Sequence, residues 1–471
     1  MSGIVLRRGE VHGRVVDVRL AGGRIAALGS SVDTEPGDDE FDARGGALLP
    51  GLHDHHIHLM AFAAARRSIP LGPPDVTDAA SFDAALRTAA GTGWLRGTGY
   101  HESVAGELDR YRLDAVVPDR PVRVQHRSGA MWVLNSTAIE HARIGTDTPA
   151  GVELDRNGAP TGRIYGLDEW LRKRLPGEPP DLGGAAAELL SYGVTGLTDA
   201  TPTEAADHVA VLADAVEDGR VPQRLVITGG LRLPRDAGAA LRRGPVKLVV
   251  ADHALPALDD LTAAIKAAHD HGRPVAVHCV TRAALLLTLA AWDDAGALPG
   301  DRVEHAAVAG RAEADRLAAA GVTVVTQPNF VAERGDAYLA EVDAADKPDL
   351  WPCASLLDNG VRVGGGTDAP FGHADPWRAI AAAITRRTPS GRILGTSERL
   401  DARRALDLFL TPPGDPGGSP RRVAVGEPAD LCLLRVPLDQ ALDQPTSAHV
   451  GATFVGGRDV YRGEDLLRER P

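Results

Sequence analysis

Nine consecutive residues, Pro50-Gly51-Leu52-His53-Asp54-His55-His56-Ile57-His58, carry four imidazoles and a carboxylate at the end of a β-like run. Residues two apart on a strand face the same side, so His56 and His58 can chelate one metal ion together. Asp54, two residues earlier, can orient a ring or complete the site from behind the ligands. The plain alternative is a surface loop that happens to be histidine-rich.

Further along, His278 ends Pro274-Val275-Ala276-Val277 and His305 ends Arg302-Val303-Glu304. Singly, a histidine at a strand end is a packed core residue more often than a ligand, but two of them together with an HxH pair make a metal site the better reading. Asp368, in Gly364-Gly365-Gly366-Thr367-Asp368-Ala369-Pro370, can bind an ion through one oxygen and relay a proton with the other. By itself such an aspartate reads as a turn or cap residue. Lys247, in Pro245-Val246-Lys247-Leu248-Val249-Val250, is costly to bury as a cation, and burial lowers its pKa. A neutral amine there can take up carbon dioxide as a carbamate able to bridge two ions; the alternative is a snorkelling or ion-paired lysine.

Positioning these residues calls for a parallel barrel. Short apolar strands alternate with Ala/Leu-rich helical stretches, with candidates at Leu48 to His53, Gly196 to Thr198, Leu225 to Thr228, Val246 to Val250, Pro274 to His278, Arg302 to His305, Val322 to Thr326 and Val361 to Gly364. Eight strands suit a (β/α)₈ barrel, whose active sites lie at the strands' C-terminal ends, where the histidines fall. Residues 1–50 and 400–471 read as short strands and turns that share one composite β-sandwich domain, leaving 51–399 for the barrel. The interval from about 60 to 180 is too long for one βα loop and predicts an inserted subdomain.

Composition narrows the functions. The 471 residues carry 51 basic and 64 acidic side chains, a net charge of −13, which disfavours nucleic acid and anionic membrane as partners. No apolar run is long enough to span a bilayer and the N-terminus lacks the order of a signal peptide, so a cytoplasmic location is expected. Cys279, Cys353 and Cys432 form no CxxC pair, which argues against a disulfide framework or a thiolate zinc site. The expected partner is a small-molecule substrate, with a homodimer left open.

Taken in order, Leu49-Pro50-Gly51-Leu52-His53-Asp54-His55-His56-Ile57-His58-Leu59, Gly97-Thr98-Gly99-Tyr100, Asn135-Ser136, Pro160-Thr161-Gly162, Gly193-Val194-Thr195, Val246-Lys247-Leu248, Ala276-Val277-His278, Val303-Glu304-His305, Gln327-Pro328, Gly366-Thr367-Asp368-Ala369-Pro370 and Phe454-Val455-Gly456-Gly457-Arg458-Asp459-Val460-Tyr461 resemble the amidohydrolase superfamily, and within it the amidohydrolase 3 group of YtcJ-like proteins, nearly end to end. The resemblance implies a distorted (β/α)₈ TIM barrel with a small β-sandwich built from both termini and an insertion after barrel strand 1. It further implies that His56 and His58 hold a buried metal, usually zinc, that carboxylated Lys247 bridges to a second ion held by His278 and His305, and that Asp368 is ligand and proton shuttle. Ala130 departs from the pattern, standing where many relatives have histidine, so a substrate contact expected there is missing.

The activity implied is hydrolysis by metal-bound hydroxide of a non-peptide carbon–nitrogen bond in an amide, cyclic amide or formamide. Deamination and ester or lactone hydrolysis are rivals on the same site, and a catalytically silent scaffold is the non-enzyme rival. Tyr100, His101, Trp132 and Asn329 are the candidate substrate contacts.

Overall fold

The computed structural model describes residues 3–463, apart from 146, 176–178, 203–205, 234–240 and 253. The chain divides into two compact units, Met1–Leu59 with Leu182–Pro471, and Met60–Asp181.

The first unit opens with Ile4–Val11 (β1), Arg14–Ala21 (β2), Arg24–Gly29 (β3) and Asp39–Asp42 (β4), a sheet in the order β3-β2-β1-β4. Leu48–Pro50 (β5) and Leu52–Ile57 (β6) follow. These two strands were expected as one run, Leu48 to His53. Pro50-Gly51 instead divides it, because β5 pairs antiparallel with a C-terminal strand while β6 starts the barrel. A proline has no N–H to continue a ladder, which makes it a natural place to change sheets.

The second unit contributes Ile69–Pro70 (β7), Leu95–Tyr100 (β8), Val122–His126 (β9), Met131–Leu134 (β10), Val152–Leu154 (β11) and Pro160–Tyr165 (β12), one sheet in the order β11-β12-β10-β9-β8-β7. It has cores of its own. Leu71, Phe82, Tyr100 and Val124 belong to one, and Trp132, Leu134, Ile139 and Ile164 to another.

The first unit resumes with Val194–Asp199 (β13), Arg224–Gly229 (β14), Leu241–Val249 (β15), Val275–Cys279 (β16), Arg302–His305 (β17), Thr323–Thr326 (β18) and Val363–Gly365 (β19). With β6 they form an eight-stranded all-parallel sheet running β6-β13-β14-β15-β16-β17-β18-β19. Past the strand ends, the Asp368 amide donates to the His56 carbonyl at 2.7 Å and the His58 amide to the Ala369 carbonyl at 2.9 Å, bringing the two edges together. Helix Ala402–Leu410 buries Leu406, Leu408 and Phe409, and a Cβ on Gly365 would come 2.7 Å from the Phe409 ring, so this helix packs on the barrel.

Leu431–Leu434 (β20), Val450–Val455 (β21) and Arg458–Arg462 (β22) complete a second sheet, β22-β21-β20-β5. Leu6, Val18 and Leu20 from one sheet and Leu431, Leu433 and Phe454 from the other share a core, with the Phe41 and Phe454 rings edge to face at 5.9 Å. The fold is thus a (β/α)₈-type barrel with a β-sandwich made from both chain ends and an insertion after the first barrel strand. Among the described residues no helix is long and apolar enough to cross a membrane.

Candidate metal centre and active site

Strand β6 is buried along its whole length, and His56 near its end is fully enclosed. The Nδ1 of His56 lies 2.5 Å from Oε2 of Glu304, a carboxylate whose Oε1 accepts from Arg302 Nε at 2.7 Å. An ionised carboxylate only accepts, so Nδ1 carries the proton and Nε2 is left as a lone pair. Burial first, and the charge of Lys247 second, push the His56 pKa down to about 3, which keeps the ring neutral.

That lone pair faces Asp368 Oδ1 at 3.4 Å, and His58 Nε2 faces the same oxygen at 3.3 Å. Among the described residues, His56 Nε2 and Asp368 Oδ1 are both buried without a hydrogen-bond partner. Two acceptors held face to face repel each other unless a cation or a proton lies between them. Donor atoms on a tetrahedral zinc ion, at bonds of 2.0–2.1 Å, stand about 3.3–3.4 Å apart, the spacing seen here. The residues present therefore fit a metal, and His56, His58 and Asp368 form a group able to hold one.

Backbone geometry serves this convergence. Asp368 has φ 57° and His305 φ 73°, left-handed conformations that cost a non-glycine residue on the order of 1–2 kcal/mol. At Gly366 a Cβ would come 2.6 Å from His56 Cβ, so only glycine allows the two segments to approach. Asp54 does not orient a ring. Its carboxylate accepts from Thr367 N at 3.0 Å, Thr367 Oγ1 at 2.5 Å and His56 N at 3.1 Å, fastening the loop that carries Asp368 to β6. Burial pushes the Asp54 pKa up to about 7 despite these bonds. Burial acts in the same sense on Asp368, but the histidines around it outweigh the effect and hold its carboxyl below the usual range.

His278 and His305 meet each other. His305 Nδ1 lies 2.7 Å from Gln327 Oε1, which fixes its proton there, and His305 Nε2 accepts from His278 Nδ1 at 2.9 Å. The His305 ring centroid is 4.8 Å from that of His56. Lys247 is buried, its Nζ has no hydrogen-bond partner among the described residues, and desolvation lowers its pKa. Burial lowers the pKa values of His278 and His305 as well.

The four candidate substrate contacts are placed differently. Tyr100 is buried in the insertion and donates its hydroxyl proton to the Gly106 carbonyl at 2.5 Å. The Nε1 of Trp132 donates to Asp168 at 2.8 Å, with the Arg96 guanidinium over its ring at 5.1 Å. His101 precedes a short helix, its Nδ1 2.8 Å from Ser103 Oγ. Asn329 donates to the Thr367 carbonyl at 3.1 Å, one residue before Asp368, and its Oδ1 is buried without a partner. Glu304 and Gln327 also enter the site, each behind a histidine ring. Neither carries a local signal of this role, Glu304 standing in the strand Arg302-Val303-Glu304-His305, which has a single apolar residue.

A family model described as the amidohydrolase family matches residues 39–461. The N-substituted formamide deformylase of Arthrobacter pascens is 26% identical over 93% of this chain and 94% of its own length. The YtcJ amidohydrolase of Bacillus subtilis is 25% identical over 90% and 91%. Among solved structures, a metal-dependent hydrolase from Pyrococcus horikoshii superposes with a TM-score of 0.72 at 20% identity, covering 92% of this chain and 97% of that one. With the family model spanning the whole barrel and most of the chain, the chain belongs to the amidohydrolase family, hydrolases acting on carbon–nitrogen bonds.

Proposed function

We propose that the protein is a zinc-dependent hydrolase that opens a non-peptide carbon–nitrogen bond in a small molecule, with N-substituted formamides as the first substrate class. The observation that carries this reading is the meeting of His56 Nε2 and His58 Nε2 on Asp368 Oδ1, two of these three atoms being buried without a hydrogen-bond partner. The formamide class rests on the similarity to the Arthrobacter enzyme. Imidazole and carboxylate donors suit zinc. Three buried thiols without a disulfide support a cytoplasmic setting.

His56, His58 and Asp368 would hold one ion, and His278, His305 and Lys247 a second beside it. Bound there, zinc supplies a Lewis acid that polarises the carbonyl and acidifies a water. The remaining work belongs to the chain. Glu304 holds the His56 tautomer and ring orientation, and Gln327 does the same for His305. Asp54 pins the Thr367-Asp368 segment. A carboxyl held below its usual range keeps no proton at rest, so Asp368 can take one from the attacking water and hand it to the leaving nitrogen. The buried Lys247 amine, once neutral, adds to carbon dioxide, forming an N–C bond and releasing one proton, to give a carbamate with two ligand oxygens. Electron density at Nζ tests this: a bare ammonium pointing away from the ions in a metal-loaded crystal refutes it.

For the activity, purified protein is assayed on a panel of N-substituted formamides, amides, cyclic amides and esters before and after chelation, with metal content measured alongside. Stoichiometric metal is expected, with formate release that chelation abolishes and zinc restores. Ammonia as the sole product would favour a deaminase. Protein without metal or turnover would favour the silent scaffold.

A further inference from the structure

The insertion contains a second convergence of imidazole and carboxylate, formed by His101, Glu102 and His126. Its origin is topological. Strands β8 and β9 lie side by side in parallel with Tyr100 paired to His126, so the residue after one strand and the last residue of the other reach the same sheet end. Glu102 Oε2 stands 3.2 Å from His126 Nε2 and 3.6 Å from His101 Nε2. These separations bracket the edge of about 3.3–3.4 Å expected of donors on a tetrahedral ion. One ligand atom from each of the three residues lies within 4.8 Å of the others.

Both rings are oriented alike from behind. The Nδ1 of His101 lies 2.8 Å from Ser103 Oγ, and the Nδ1 of His126 lies 2.7 Å from Ser128 Oγ, each serine two residues further on. An oxygen on Nδ1 that turns Nε2 outward is the arrangement found behind metal-bound imidazoles. The same serines bring their backbone N–H groups to Nδ1 at 3.2 and 3.1 Å, which favours the opposite tautomer. Without an ion each ring thus keeps its proton on Nε2, His126 donating it to Glu102, and loading moves each ring proton from Nε2 to Nδ1, a cost that tempers affinity. The side chains of His101 and His126 are 17% and 16% exposed and that of Glu102 45%, so an ion can enter and water can fill the remaining positions.

We infer that His101, Glu102 and His126 form a zinc-binding site within the insertion that ties the end of β8 to the end of β9. It requires nothing of the proposed reaction. The test uses the full chain, stripped by chelator and titrated with zinc ion, with bound equivalents counted calorimetrically and by elemental analysis. Wild type is expected to bind one equivalent more than the His101→Ala/His126→Ala variant. Glu102→Gln, a change at a half-exposed side chain, removes the anionic ligand with little risk to folding and should weaken that equivalent at least about ten-fold. In a His56→Ala/His58→Ala background the insertion's equivalent should persist and remain sensitive to Glu102→Gln, which separates its failure from failure of the barrel reading. Equal zinc content in wild type and the double-alanine variant, or an equivalent indifferent to Glu102→Gln, overturns the inference.

Discussion

The mouth of the barrel and the sheet of the insertion both bury polar side chains, and the uncharged ones of the insertion are treated differently from the titratable ones of the barrel mouth, although Arg110 Nε and Arg123 Nε in the insertion are also buried without a partner among the described residues. In the insertion, Tyr100 and Trp132 each spend their single donor on a protein acceptor, Gly106 O and Asp168, and Asn135 is bonded through both ends of its amide, to Val122 N, Val117 O and Arg120 O. At the barrel mouth, His56 Nε2, Asp368 Oδ1 and Lys247 Nζ are buried with no such partner. An unpaired buried polar group costs about 1–3 kcal/mol. Satisfied groups build a core, whereas unsatisfied ones that point at each other describe something to be bound.

The comparison breaks most readily at Asp368. Asp368→Asn keeps an oxygen that can ligate but cannot accept a proton from water, so kcat should fall about 10²–10⁴-fold with the fold intact and much of the metal retained. Steady-state assays on whichever panel substrate wild type turns over, beside metal analysis, check this. Wild-type turnover by Asp368→Asn on a substrate that His56→Ala cannot process would leave the metal, and not this carboxylate, carrying the reaction.

Glu304 tests the next layer. Glu304→Gln replaces the acceptor behind His56 Nδ1 with a neutral amide, and the affinity for zinc should drop about 10–100-fold in competition with a chromogenic chelator. Burial opposes ionisation of Glu304, but Arg302, Lys247 and His56 outweigh it and hold its pKa well down, so the loss should appear at neutral pH. Unchanged affinity would mean that the ring is held by packing alone.

Strand β6 also carries two buried histidines outside the metal-ligand group, each leaving Nδ1 without a hydrogen-bond partner among the described residues. His53 and His55 are buried and each bonds one nitrogen to a threonine, Thr198 at 2.9 Å and Thr411 at 2.7 Å. Burial, then the charges of neighbouring groups, sets both pKa values well below the ordinary 6.5. Below about pH 6.5 the unfolded chain binds protons at these positions and the folded chain does not, so stability is lost as pH falls from there toward the folded values. Each histidine contributes a slope of up to about 1.4 kcal/mol per pH unit. His55→Gln should remove one such contribution from the pH dependence of chemical unfolding between about pH 5 and 6.5. A slope identical to wild type would mean that His55 is protonated in the fold.

Much of this arrangement is legible in the sequence because the barrel strands are apolar runs bounded by turns, and because Asp54, His56 and His58 recur at a spacing of two. The division of Leu48 to His53 between two sheets is not, since both halves are equally apolar and only the Pro50-Gly51 step marks the change of partner. Neither is the bond from His56 to Glu304, 248 residues apart, because local pattern says nothing about which strands become barrel neighbours. Aromatic residues are ambiguous for another reason. A tyrosine or tryptophan suits a core as well as a pocket, and its hydroxyl or N–H partner decides which.

Tyr100 yields the smallest effect and the cleanest check on that last point. Its ring packs against Phe82 with centroids 5.3 Å apart, within a core that includes Leu71, Leu95 and Val124. Burial raises the phenol's pKa to about 12, so it stays a neutral donor at any working pH. Tyr100→Phe leaves the ring and its packing in place and strips one hydrogen bond from the Gly106 carbonyl, which should cost about 0.5–1.5 kcal/mol in chemical denaturation. Because the hydroxyl is already committed to the backbone, kcat and KM should both stay within about two-fold of wild type on the panel substrate. A rise in KM of ten-fold or more at unchanged stability would assign the phenol to substrate instead of core, and would show that a satisfied donor in the insertion can also serve the reaction.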